Sequence, residues 1–285
     1  VRIGRRVFVW GARTYVMGVL NVTPDSFAGD GITDPEAACA RGRALAAEGA
    51  DILDVGGVST RPGAPPVSPE EELARVLPVV SRLAGELEIP LSVDTTRAEV
   101  ARQAVAAGAA AINDVSALRA DPALAGVVAA AGVPVILMHG YPPPRVPAAD
   151  LLEGIVGFLR ERVEYAVSQG VPRELILVDP GFGFGKSPQE NLQLLRRLRE
   201  VTSLGRPVVV GTSRKGTIGR VLGGVPAPER DYGTAATVAV AIAGGADVVR
   251  VHNVRAMREV ARMADAVVRG WPGEPDRPPA EDEAR

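Results

Sequence analysis

PLSVDTTRAEVARQAVAAGAAAINDVS, residues 90–116, holds one full turn of the pattern that sets the fold. A short apolar run ends in Asp94. Thr96 and Glu99 then stand at capping-box spacing, and an Ala-, Val- and Arg-rich segment of helical periodicity follows. Gly108 lies where that helix must stop in a left-handed conformation, and a second apolar run ends in Asn113 and Asp114. Strand, helix, strand in this order reads as a parallel βαβ unit.

The unit recurs in both directions along the chain. Strand candidates are 15–21, 51–57, 90–95, 110–116, 134–140, 174–181, 206–213 and 246–253, starting about 20 to 40 residues apart, room for one crossover helix each. Ser68-Pro69-Glu70-Glu71 and Ser187-Pro188-Gln189-Glu190 mark helix starts, each with a capping hydroxyl, a proline at the first helical position and glutamate at the third. Eight such units without a long interruption predict an α/β fold of the (β/α)8 TIM-barrel type, with an open doubly wound sheet as the alternative. The segment RRVFVWGARTY, 5–15, is expected to form a short N-terminal β-hairpin over the lower mouth. Residues 1–269 read as a single domain, and the proline- and charge-rich 270–285 as a flexible tail.

Composition narrows the function. Of 285 residues, 46% are hydrophobic, and 32 basic against 34 acidic side chains leave a net charge of −2. That balance argues against nucleic acid as the partner, which needs a basic face. No apolar run reaches the roughly 18 residues a bilayer span requires, and the start VRIGRRVFVW is too short for a signal-peptide core, so no membrane role is expected. A lone cysteine, Cys39, fits a reducing compartment, and the expected location is the cytoplasm. Arginine supplies nearly all positive charge. The only lysines are Lys186 and Lys215, and the only histidines His139 and His252, so chemistry rather than surface charge is the better reason for keeping them.

In a barrel the C-terminal strand ends build the active site. Those ends carry Asn21 with Asp25, Ser59-Thr60-Arg61, Asp94, Asn113 with Asp114, His139, Asp179, Ser213-Arg214-Lys215, and Arg250 with His252. Taken singly, each has a structural explanation as a cap or turn residue. Their convergence on one mouth does not. Aspartates and asparagines together offer paired donor and acceptor edges for a planar, amidine-bearing heterocycle such as a pterin or guanine. Arg250 and His252 flank Val251 on one strand, point the same way, and suit a phosphate or diphosphate. Zinc-ligand spacing is absent, and GFGFGKS is not a phosphate loop, because the required first glycine falls at Pro180.

Five stretches, MGVLNVTPDSF (17–27), DVGGVSTRPGA (54–64), DPGFGFGK (179–186), GTSRKG (211–216) and RVHNV (250–254), closely resemble the dihydropteroate synthase family over residues 14 to about 268. The resemblance implies a transferase that joins 4-aminobenzoate to 6-hydroxymethyl-7,8-dihydropterin diphosphate, with Mg²⁺ as cofactor, in a homodimer. It implies that Asp94, Asn113, Met138, Asp179, Phe184 and Lys215 hold the pterin. Asn21, Thr60, Arg250 and His252 would hold the diphosphate, with Asn21 also toward Mg²⁺. Phe27, Arg61, Pro62, Ser213 and Lys215 would shape the aminobenzoate pocket. Asn21, Thr60, Arg61, Asp94, Asp179, Lys215, Arg250 and His252 are thereby the residues expected to carry the reaction, with loops 22–31 and 58–67 as lids.

The chain departs from the family pattern at Val58, where an acid is usual, at Asp30, one position later than the usual acid, and at Asn253, where aspartate is common. Three other readings stay open at this level: a pterin-dependent methyltransferase, a Schiff-base aldolase using Lys215, and a non-catalytic pterin-binding homologue.

Overall fold

Alternation along each strand separates two environments. The computed structural model describes residues 1–23, 31–59, 66–140, 150–271 and 273. After a hairpin of β1 (Arg2–Ile3) and β2 (Arg6–Val7) come β3 (Tyr15–Asn21), β4 (Ile52–Gly56), β5 (Leu91–Asp94), β6 (Ala111–Asp114), β7 (Val135–Met138), β8 (Ile176–Asp179), β9 (Val209–Val210) and β10 (Val248–Val251). Between and after them run α1 (Pro35–Ala47), α2 (Pro69–Glu86), α3 (Ala98–Ala106), α4 (Ala123–Ala131), α5 (Leu151–Ser168), α6 (Pro188–Arg196), α7 (Arg199–Thr202), α8 (Gly216–Val221), α9 (Asp231–Ala243) and α10 (Val254–Arg269).

All eight expected strands are present, each inside its expected span. They pair in parallel in the order β8-β7-β6-β5-β4-β3-β10-β9. The ring closes where Val178 bridges Val208 and its N–H donates to Pro207 O at 3.0 Å. A closed barrel therefore replaces the open-sheet alternative. The span expected at 206–213 contracts to two residues of strand, because Pro207 has no N–H and the Val208 N–H is taken by Asp247 Oδ2 at 2.9 Å.

Outward positions such as Val16, Leu20, Leu53, Val55, Val93, Ile112 and Leu137 pack beneath the helices in the main core. Inward positions low in the barrel, Met17, Ile52, Ala111, Ile136, Leu177, Val209 and Val248, form a second apolar cluster with Ile3 and Phe8. The N-terminal hairpin thus plugs the floor, as expected, but at Arg2–Val7 rather than within 5–15. Residues 8–14 instead form an irregular connection in which the Val9 N–H meets the Tyr15 hydroxyl at 2.8 Å.

Local chemistry sets the helix ends. Ser187 accepts from the Glu190 N–H at 3.2 Å while Glu190 returns the bond to the Ser187 N–H at 2.6 Å, a complete capping box, and Ser68 caps α2. Thr96 does not cap α3. That helix starts one residue later, and the Ala98 N–H is met by Asp121 Oδ2 at 2.8 Å. A tertiary carboxylate has replaced the local hydroxyl. No helix among the described residues is long and apolar enough to cross a membrane.

Candidate active site

Toward the C-terminal ends of most strands, the inward face changes from apolar to polar. The same parity that sends Met17, Ile52, Ala111, Leu177 and Val248 into the floor sends Asn21, Asp54, Asp94, Asn113, Met138, Asp179 and Arg250 into the upper mouth, with His252 just beyond β10. Burial there makes every charge depend on its neighbours.

Arg250 is the centre of that arrangement. Its Nε donates to Asp54 Oδ2 at 2.6 Å and its Nη2 to Asp94 Oδ2 at 3.2 Å, while Asn113 Nδ2 donates to the same Asp54 oxygen at 2.9 Å. Burial pushes the Asp94 carboxyl up to about 7, against the pull of Arg250. Lys215 stands beside this group: a side chain at Gly211 would lie 3.7 Å from Arg250 Cβ and 3.8 Å from Lys215 Nζ. The lysine ammonium donates to the Phe182 carbonyl and lies 4.4 Å from the centre of the Phe184 ring. Burial lowers its pKa to about 7, against the attraction of Asp179. Asp179, raised by burial and held down mainly by Lys215, also receives the Gly181 N–H at 2.7 Å. Gly183 is required here. Its φ of +83° is left-handed, and a Cβ would fall 2.6 Å from Lys215 Cδ.

On the far side of β10, the His252 Nδ1 and the Ser213 hydroxyl are 2.8 Å apart, and the His252 N–H meets the same hydroxyl at 3.2 Å. Ser213, expected beside an aminobenzoate carboxylate, is thus tied to the histidine of the expected anion site. Asn21 Oδ1 and Asp94 Cβ flank Gly56, at 3.9 Å and 3.7 Å from where a Cβ would stand. Met138 is buried on the inward face of β7 beside Asp179, its partner in register on β8.

Several strand-end residues do other work. Asp114 points outward and clamps a turn, accepting from the Ser116 N–H and hydroxyl, both at 2.7 Å, and from the Leu118 N–H at 2.6 Å. This holds Ala117 and Leu118 at positive φ, so Asp114 does not belong to the ring-binding edge. Arg214 pairs with Asp231 at 2.9 Å. His139 Nδ1 lies 3.0 Å from Lys186 Nζ, which also donates to the carbonyls of Gly181, Phe184 and His139 itself. Burial, then Lys186, lowers His139 to about 3, and burial lowers Lys186 to about 8. Lys186 is a latch between two loops. Thr60, Arg61, Pro62 and Phe27, with Asp25 and Asp30, lie outside the described residues.

Asp54 was not among the expected residues, because it sits inside its strand rather than at the end. Its inward parity with Ile52 and Gly56 was a signal available in the sequence.

The family model described as pterin binding enzyme matches residues 17–252, from within β3 to just past β10. The chain belongs to the pterin-binding enzymes. Relatives within that family include dihydropteroate synthases. The one from Synechocystis sp. is 46% identical over 273 residues, 94% of each chain. A solved dihydropteroate synthase from Xanthomonas albilineans, with 4-aminobenzoic acid, superposes with a TM-score of 0.84 at 46% identity, covering 91% of this chain and 94% of that one. Another from Clostridium difficile, in the presence of pteroic acid, gives 0.87 at 44% identity, covering 92% and 100%. For this pterin-binding enzyme, the polar upper layer of the barrel is accordingly the place to seek a pterin.

Proposed function

We propose that the polar cup performs the dihydropteroate synthase reaction in a dissociative order. The chain condenses 6-hydroxymethyl-7,8-dihydropterin diphosphate with 4-aminobenzoate to 7,8-dihydropteroate and diphosphate. The observation that carries the assignment to this cup is the meeting of Asp94, Asn113, Asp179, Lys215 and Arg250, drawn from five strands or strand ends, around one mouth.

Asp94, Asn113 and Asp179 bind the pterin edge, while Lys215 and Phe184 hold its face and carbonyl side. Met138 closes the slot from β7. The bond between the pterin methylene carbon and the diphosphate oxygen breaks first, its electron pair leaving with the oxygen. Buried carboxylates facing the ring stabilise the resulting cation, and Arg250 and His252 hold the departing anion. The amine nitrogen of 4-aminobenzoate then bonds to the methylene carbon and loses a proton. Phe27, Arg61 and Pro62 belong to this reading as the aminobenzoate pocket, and Thr60 joins Asn21 at the diphosphate.

Among the described residues no cluster of three ionisable ligands could hold a metal alone. The neutral amide oxygen of Asn21 at the mouth fits Mg²⁺, which keeps waters and takes substrate phosphate oxygens with few protein groups. Asn21 would hold it through its amide oxygen, and when bound the ion would neutralise charge on the diphosphate.

The homodimer is supported by apolar side chains left exposed on α8 to α10 and at their ends: Val221, Leu222, Tyr232, Val240, Met263 and Val267. Cytoplasmic residence fits the single cysteine, buried and free.

An assay of diphosphate release tests the reading. Release that requires both substrates and Mg²⁺ is expected, and no release with all three present would reject it.

A further inference from the structure

Asp54 has no part in the reaction described above, yet its side chain is 0% exposed in the middle of the cup. An ionised carboxylate removed from water persists only where charge and hydrogen bonds compensate it, and an apolar side chain of similar volume usually packs there at less cost. Oδ2 is compensated twice, by Arg250 Nε at 2.6 Å and Asn113 Nδ2 at 2.9 Å, whereas Oδ1 is buried with no hydrogen-bond partner. A buried oxygen without a partner is a cost that packing alone does not explain.

Its place in the ring explains what it does instead. In the order β6-β5-β4-β3-β10, Asp54 on β4 reaches two strands each way, to Asn113 on one side and Arg250 on the other. An amide has a donor end and an acceptor end, and a carboxylate only accepts. The end of Asn113 that meets Asp54 must therefore be its NH2, which leaves Oδ1 as the end offered to a ligand. Arg250 is constrained in the same way. With Nε committed to Asp54, its Nη2 falls on Asp94.

We propose that Asp54 is a positioning and specificity-determining residue: it sets the hydrogen-bond polarity of Asn113, so that the cup selects a heterocycle presenting an N–H or NH2 donor there, and it aims the Arg250 guanidinium. This rests on the reading that the ligand is a pterin diphosphate.

Asp54→Leu tests it, because the near-isosteric apolar side chain removes the one oxygen that receives both Asn113 Nδ2 and Arg250 Nε, so the Asn113 amide is no longer held with its NH2 toward β4. Calorimetric binding of 6-hydroxymethyl-7,8-dihydropterin diphosphate is expected to weaken by about tenfold or more, with its KM rising in step. The KM for 4-aminobenzoate should stay within about twofold. In an Asn113→Ala background, the polarity already being lost, the loss caused by Asp54→Leu should be smaller by about threefold or more, what remains being the aim of Arg250. Equal losses in both backgrounds, or wild-type affinity in Asp54→Leu, would overturn the proposal. Should Asp54→Leu not fold, the pair Arg250→Gln and Asn113→Ala reads the same carboxylate. Coupling of about threefold or more supports the role, and strict additivity overturns it. Wild-type binding without turnover would reject the catalytic reading alone, and no wild-type binding would reject both.

Discussion

Lys215 and Asp94 titrate in opposite senses over the same pH range. The folded lysine loses its charge as pH rises through about 7, and the folded aspartate gains its own over the same interval, both because burial disfavours the charged form. Pterin diphosphate affinity should therefore follow a bell centred near pH 7. Asp94→Asn should flatten the acid limb and Lys215→Ala the alkaline limb, measured as affinity against pH. A lysine limb that survives Lys215→Ala would reject the assignment. Stability carries the matching signature. Between pH 7 and 10.5 the unfolded chain binds more protons at Lys215, so this group makes stability rise with pH; between 3.8 and 7 the folded chain binds more at Asp94, so stability falls with pH there. Asp114 shows how residue identity alone misleads. One position from Asn113, it faces the opposite side of the sheet and spends its carboxylate on backbone N–H groups.

The elements owe their ends to short-range chemistry wherever a cap lies beside its helix. At α6 the reciprocal Ser187 and Glu190 bonds satisfy two otherwise orphaned N–H groups, and Pro188 sits at the first helical position. Ser187→Ala is expected to cost about 1 kcal/mol, read as a lower denaturation midpoint. Pterin affinity should change little unless the loop holding Phe184 and Lys186 shifts with the helix. The capping-box spacing of Thr96 and Glu99 went unused because Asp121, 23 residues away, reaches the Ala98 N–H. Spacing cannot report a partner brought in by the fold.

Across the whole molecule, the eight-stranded ring closes on itself and offers no edge of its own, so helix faces are the surfaces proposed for association. Tyr232 is 91% exposed at the start of α9, and Met263 and Val267 are 66% and 73% exposed on α10. Tyr232→Asp combined with Met263→Glu is predicted to halve the sedimenting mass without changing the melting of the barrel. A wild-type protein that sediments as a monomer would reject the dimer. The eight strands, the TIM-barrel class and the polar strand ends were all legible in the sequence, because period-two alternation and βα spacing are local properties that one chain displays unaided. So were the five motifs that mark the family. What only the tertiary structure decided is which polar groups share a proton or a charge. Asp54 meets Arg250 from 196 positions away, Ser213 is committed to His252, and Lys186 ties His139 to the loop after β8. These partnerships arise because barrel closure buries charges from distant strands side by side, where each must find its complement. Linear order does not encode that choice.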